Sequence, residues 1–210
     1  MARQRLIAII EIIALRNMKL LSLALTFLAI SALPVLAAPV DLGSTAGYTP
    51  YDAYMRPVKR VLCSIPNQKA GMDRVEQLMR EGRSFRYVHS DPYNPALPAE
   101  TARRHAGDCK DKALWLCDQL QDSSARFVIG KMKRSSSISH AWVMWQNESR
   151  WFILDCTLNW RPIPVENVST GDYLPLYSFA KNGTYRHAAT SLMLADSRTS
   201  ASEPVASTRR

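Results

Sequence analysis

Gly107-Asp108-Cys109-Lys110-Asp111-Lys112-Ala113-Leu114-Trp115-Leu116-Cys117 opens a helical pattern with a thiol in its first turn. Asp108 is a suitable N-cap, since a carboxylate there can accept from the unpaired N–H groups of a helix start. At about 100° per residue, Cys109, Ala113, Leu116 and Leu120 share one face. Cys117 lies beside them, and Asp111, Asp118 and Asp122 group on the opposite side. A helix is therefore expected over about 108–121, burying the stripe that begins with the thiol. Trp115 falls nearer its polar side.

Downstream, Arg126 to Met132 is rich in β-branched and aromatic residues and reads as a strand. A polar, serine-rich loop, Lys133 to Ser139, follows. His140 to Gln146 and Arg150 to Asp155 then read as a hairpin around Asn147-Glu148-Ser149. Period two places His140, Trp142 and Met144 on one face, and Trp151, Ile153 and Asp155 on one face of the partner. A helix followed by antiparallel strands predicts an α+β fold, with the nucleophile-bearing helix packed on an antiparallel sheet.

The thiol, the imidazole and the carboxylate lie 31 and 15 positions apart, at Cys109, His140 and Asp155. A cysteine nucleophile, its base and the group that orients the base require such a set. Alone, each residue has an ordinary reading: a small buried cysteine, a satisfied strand histidine, a strand-end carboxylate. The joint order and context favour catalysis. The nucleophilic form of cysteine is the thiolate, and both a helix N-terminus and a nearby imidazole favour it. The Cys109 N–H is the expected oxyanion donor; Tyr87, Tyr93 and Asn94 are candidates for a second.

From about Arg103 to Asn159 the chain resembles the transglutaminase-like superfamily of cysteine peptidases and acyltransferases. That family reads Gly-x-Cys at the head of a helix, His-Ala-Trp on a strand, and Trp-x-x-Leu-Asp-x-Thr on the next. Here those words stand at Gly107 to Cys109, His140 to Trp142 and Trp151 to Thr157. The Gly-Asp-Cys-Lys-Asp-Lys-Ala form is similar to bacterial members outside the cytoplasm. By motif the resemblance covers about a quarter of the chain, and by element order Val61 to Asp155. The chain departs from the pattern at Cys156, where the family usually has proline. It also has no upstream Trp or Gln in the place of a side-chain oxyanion donor. The resemblance implies a transglutaminase-like or papain-like core and a Cys-His-Asp thioester mechanism acting on a protein or peptide substrate. No cofactor is implied.

A chain of 210 residues fits one domain with a true core. Lys19 precedes an uncharged apolar stretch, Leu20 to Leu33, followed by Pro34 and Val35-Leu36-Ala37. This describes a secretory signal peptide over 1–37 cut before Ala38, with the true start at Met18. The alternative is a retained anchor, because Leu20 to Ala38 just reaches across a bilayer. Export predicts a periplasmic or secreted protein with no stable membrane insertion after cleavage.

Removing residues 1–37 takes four of 27 basic and one of 18 acidic residues and leaves a net charge of +6. The remaining bases show no aromatic-interleaved nucleic-acid motif. The groups Arg103-Arg104 and Lys131, Lys133 and Arg134 read as solvated surface, or as flanks favouring an acidic substrate. No C-x-x-C pair exists and His89, His105 and His187 lack ligand spacing, so no metal site is expected. With Cys109 as nucleophile, Cys63, Cys117 and Cys156 allow at most one disulfide, Cys63 with Cys117 or with Cys156, or stand as three buried thiols.

The remaining elements are a lead-in over Pro39 to Pro57 and a helix over Met72 to Glu81 stopped by Gly82. A short strand at Phe85 to Val88 and a loop over Asp91 to Pro98 follow. Trp160 to His187 is a proline-containing stretch with an Asn182-Gly183 turn. The domain is expected over 38–189, and 190–210 has too little to bury to be ordered. Three functions fit: an exported cysteine hydrolase cutting peptide or amide bonds, which is favoured; an acyltransferase passing the thioester to an amine; and a catalytically idle binding domain.

Overall fold

The computed structural model describes residues 40–90, 94–169 and 171–189. The expected signal peptide, the expected disordered tail and Tyr93 lie outside the described residues.

Seven antiparallel strands form the main sheet in the order β1-β9-β8-β4-β5-β6-β7. They are β1 (Ser44–Thr45), β4 (Arg126–Lys133), β5 (His140–Asn147), β6 (Arg150–Leu154), β7 (Ile163–Pro164), β8 (Asp172–Ala180) and β9 (Gly183–Arg186). A separate parallel pair joins β2 (Arg86–Tyr87) to β3 (Ala106–Gly107). Four helices complete the described chain: α1 (Arg56–Ser64), α2 (Met72–Ser84), α3 (Pro98–Arg104) and α4 (Cys109–Leu120). The architecture is α+β, as the sequence order predicts.

Alternation along β4, β5 and β6 divides the apolar residues between two cores. Phe127, Ile129, Val143, Trp145, Phe152 and Leu154 join the helices in the larger one. Val128, Trp142, Met144, Trp151 and Ile153 form the smaller one on the other face, covered by Ile163, Val165, Val168 and Tyr173. With both faces covered, the central strands carry long apolar runs. The hairpin turns at Glu148-Ser149, and Glu148 adopts the left-handed conformation at φ 52°.

Four expectations are corrected. Gly82 does not stop α2, which runs on to Ser84. The glycine serves close approach: a Cβ there would stand 2.7 Å from the Trp115 ring and 2.8 Å from Cys156 Sγ. Trp115, placed near the polar side of its helix by the wheel, is buried in this gap against Phe85, ring centroids 4.7 Å apart. The lead-in ends in α1, whose Val58, Val61 and Leu62 are buried behind a Pro at the first turn. The stretch from Trp160 to His187 holds three strands, β7, β8 and β9.

Pro175 obscures β8. It pairs with Gly130 where the register shifts between Ile129 and Gly130, so its missing N–H falls at a bulge. A Cβ on Gly130 would meet the Leu174 carbonyl oxygen and the Trp142 ring. Backbone cannot retreat as a flexible side chain does. Gly130→Ala is expected to destabilise the protein by about 1–3 kcal/mol, as overpacking does. Chemical denaturation checks this, and an unchanged midpoint would contradict the tight crossing.

No helix among the described residues is long and apolar enough to cross a membrane.

Candidate active site

The start of α4 is fixed by two aspartates acting reciprocally. Asp108 Oδ1 accepts from the N–H of Lys110 at 3.1 Å and of Asp111 at 3.4 Å. Asp111 Oδ2 accepts from the Asp108 N–H at 3.2 Å, completing a capping box. Gly107 makes room for this, because a Cβ there would lie 2.7 Å from that of Asp111. The cap does not take the N–H of Cys109.

The charged residues of this turn do not face solvent, contrary to the helical-wheel expectation for Asp111. Asp111 also accepts from the Ala96 N–H at 2.8 Å. Burial raises its pKa, and the Ala96 N–H opposes the rise. Lys112 donates to the Phe85 carbonyl at 2.6 Å, the C-cap of α2, and burial lowers its pKa. Asp122, also expected on the polar side, turns inward after the left-handed Gln121 and is fully buried. The first turn of α4 thus grips the preceding chain at Phe85, Ser90 and Ala96.

His140 opens β5 and faces that turn. Its Nε2 lies 2.9 Å from Asp155 Oδ2. The Cys109 thiol lines the same cleft and acts on this ring. Burial is the largest influence on this imidazole and opposes its charge. The hydrogen-bonded Asp155 carboxylate, with the nearby Cys109 thiol, outweighs it and raises the pKa to about 9. Asp155 follows β6 and is 1% exposed. Its Oδ1 accepts from the N–H of Thr157 at 3.0 Å and of Leu158 at 3.3 Å, which holds the carboxylate after the strand end.

Two site residues escape the sequence reading. The Tyr173 hydroxyl donates to Asp155 Oδ2 at 2.9 Å, the oxygen that His140 uses. Asn159 Nδ2 donates to the Tyr173 hydroxyl at 2.6 Å. Burial and the neighbouring carboxylate push the Tyr173 pKa upward, so the phenol stays a neutral donor. Tyr173 has φ 47°, strained for a residue with a side chain, just after Gly171 at φ 96°. The Trp142 ring supports both partners, stacking on His140 at 6.0 Å and meeting Tyr173 edge-on at 5.4 Å. Nothing local in the sequence marks Tyr173, because the register of β8 brings it here.

The thiol opens into a small cleft. Tyr51, Met55, Phe127, Ile129 and Ala141 give it an apolar lining, and Tyr87, His89 and Ser90 lie beside the thiol's helix start. Tyr87 therefore shares the cleft with Cys109, and Asn94 lines other depressions. Neither expected basic group lines the cleft. Arg104 pairs with Glu100 at 3.1 Å.

All four cysteines are free thiols. Cys63 is exposed, whereas Cys117 and Cys156 are buried; burial pushes the thiol pKa of both upward, that of Cys156 to about 12. No group of three His, Cys, Asp or Glu among the described residues is placed to hold a metal ion.

No family model and no curated protein matches the chain. Among solved structures it is similar to Legionella pneumophila LapG, at 19% identity and a TM-score of 0.48, over 72% of this chain and 86% of that one. It is also similar to a chain from Cytophaga hutchinsonii assigned as a cysteine protease, at 18% identity and a TM-score of 0.36, over 63% of this chain and 48% of that one. Both are remote likenesses.

Proposed function

We propose that the protein is an exported, transglutaminase-like cysteine hydrolase that cleaves peptide or amide bonds. One observation carries this reading: the imidazole hydrogen-bonded to the Asp155 carboxylate lines the same cleft as the Cys109 thiol, close enough for the thiol to raise the ring's pKa. In the reaction, His140 already holds the thiol proton, and the Cys109 thiolate attacks the substrate carbonyl carbon through Sγ. The tetrahedral oxyanion is held by the Cys109 N–H and by the Tyr87 hydroxyl as second donor. The carbon–nitrogen bond breaks, His140 gives its proton to the departing amine, and a thioester remains. Water, deprotonated by His140, then releases the acid and restores the thiol. Asp155 holds the ring orientation and supports its charged form, and Tyr173 and Asn159 hold Asp155.

The apolar lining of the cleft supports a peptide substrate over a small charged amide. Transfer to an amine uses the same thioester and differs only in what resolves it. Incubating the mature protein with a peptide library and a labelled amine tests the choice. Cleaved acids support hydrolysis, labelled amides support transfer, and neither product under any condition supports the idle cleft.

Export accompanies this reading, with residues 1–37 as signal peptide, 38–189 as the domain and 190–210 as a tail. Mass spectrometry of the protein recovered from its producing cell should find an N-terminus at about Ala38. An N-terminus at Met1 would contradict it.

A further inference from the structure

Lys110 stands where a lysine does not belong. It is the second residue of α4, where the helix dipole disfavours a cation, and it is 8% exposed. All three ammonium donors are used. Nζ donates to the Ser90 carbonyl at 2.9 Å, to Ser90 Oγ at 3.1 Å, and to Asp108 Oδ2 in a very short contact. Ser90 closes the ring: its N–H and its hydroxyl each donate to Asp108 Oδ2 at 3.2 Å. No donor is left over for a substrate.

The arrangement has two effects on the thiol next door. Asp108 caps the helix but places a negative charge immediately before Cys109, and that charge opposes a thiolate. Lys110 sets a positive charge against it. The same ammonium ties Ser90, part of the cleft wall with Tyr87 and His89, to the helix that carries the thiol. Other charged or titratable groups face this region: His140 from β5, Asp155 behind it, Tyr87 from β2, Asp111 from the same helix turn, and His89, whose Nδ1 lies 3.9 Å from Asp108 Oδ2.

We propose that Lys110 is a positioning residue: a built-in counter-cation that cancels the N-cap carboxylate beside Cys109 and pins the Ser90 wall of the cleft to the start of α4. It acts on the reaction through Asp108 and Ser90 and does not touch substrate. The proposal rests on Cys109 being the nucleophile.

The test is a charge cycle read as the pH at which Cys109 reaches half its maximal alkylation rate with iodoacetamide. In Lys110→Met the midpoint should rise by about one pH unit, the size of a near charge interaction in a partly wet site. In Asp108→Asn, which keeps a capping acceptor, it should fall. The double variant should return close to the starting value. If Lys110→Met does not fold, Asp108→Asn carries the test alone, because Lys110 then stands unopposed. A purely structural lysine would lower the melting temperature and leave both midpoints in place, and that result overturns the proposal. The two readings fail separately: indifference of the unsubstituted protein to His140→Ala would remove the catalytic reading, whereas a flat charge cycle with a responsive His140 would remove only this one.

Discussion

Replacing His140 by alanine is expected to lower kcat/KM for peptide hydrolysis by about 10³–10⁴-fold, the effect of removing a general acid–base from a site that keeps its other parts. Cys109→Ser should cost at least as much, since a serine hydroxyl is not ionised by this imidazole. Cys109→Ser should keep the wild-type stability within about 1 kcal/mol, whereas His140→Ala also takes a hydrogen-bond partner from the buried Asp155 and should lose stability at neutral pH. The pH dependence follows from the raised pKa of His140, about 9. The charged ring is favoured over a wide range, and activity that depends on it should fall as pH rises through about 9. The same shift has a stability consequence with a definite sign. Its contribution is complete below the unfolded value near 6.5 and disappears as pH climbs through about 9. His140→Ala should abolish that alkaline component. Steady-state kinetics from pH 5 to about 10, beside denaturation at the two ends, checks both statements.

The second large effect lies away from the cleft. Asp122 is fully buried and accepts from the Trp145 indole N–H at 2.9 Å and the Ala70 N–H at 2.8 Å. Its other oxygen takes the Ser124 N–H at 2.8 Å and the Ser124 hydroxyl at 2.7 Å. Burial alone would raise its pKa, but these hydrogen bonds, that of Trp145 foremost, lower it. The carboxylate joins the end of α4, the segment before α2 and the heart of β5. Asp122→Ala leaves several buried donors unpaired and should cost about 3–4 kcal/mol. The depressed pKa gives the acid-side sign: this stabilisation is present above the ordinary aspartate range and is lost as pH falls through the folded value. Urea denaturation at neutral pH and near pH 3 should therefore show wild type and Asp122→Asn converging in acid. Parallel pH profiles would contradict the assignment.

Local signals carried much of the architecture. The N-cap at Asp108, the apolar alternation through β4, β5 and β6, and the short hairpin turn are written in neighbouring residues, and each element stands within a residue or two of its expected place. What was hidden depends on distant partners. α1 and β8 contain prolines whose missing N–H groups fall at a helix start and at a bulge, positions that only the fold assigns. The wheel sorted Asp111, Trp115 and Asp122 to a polar face, yet α4 is wrapped on nearly all sides by the segments it grips. Lys110 and Lys112 look like surface charge for the same reason. Within the candidate site, Cys109, His140 and Asp155 stand in recognisable words, whereas Tyr173 and Asn159 enter through the register of β8 and the turn after β6.

The most direct measurement of the central claim is a race between thiols. Cys63 is exposed, Cys109 is half-buried, and Cys117 and Cys156 are buried. If access alone governed reactivity, a limiting amount of iodoacetamide at about pH 6.5 would modify Cys63 first. An imidazole holding the thiol proton reverses that order. Peptide mapping should find Cys109 modified ahead of Cys63 in the unsubstituted protein, and Cys63 ahead of Cys109 in His140→Ala. Cys63 first in both proteins, with the Cys109 rate unchanged by the substitution, would contradict the account.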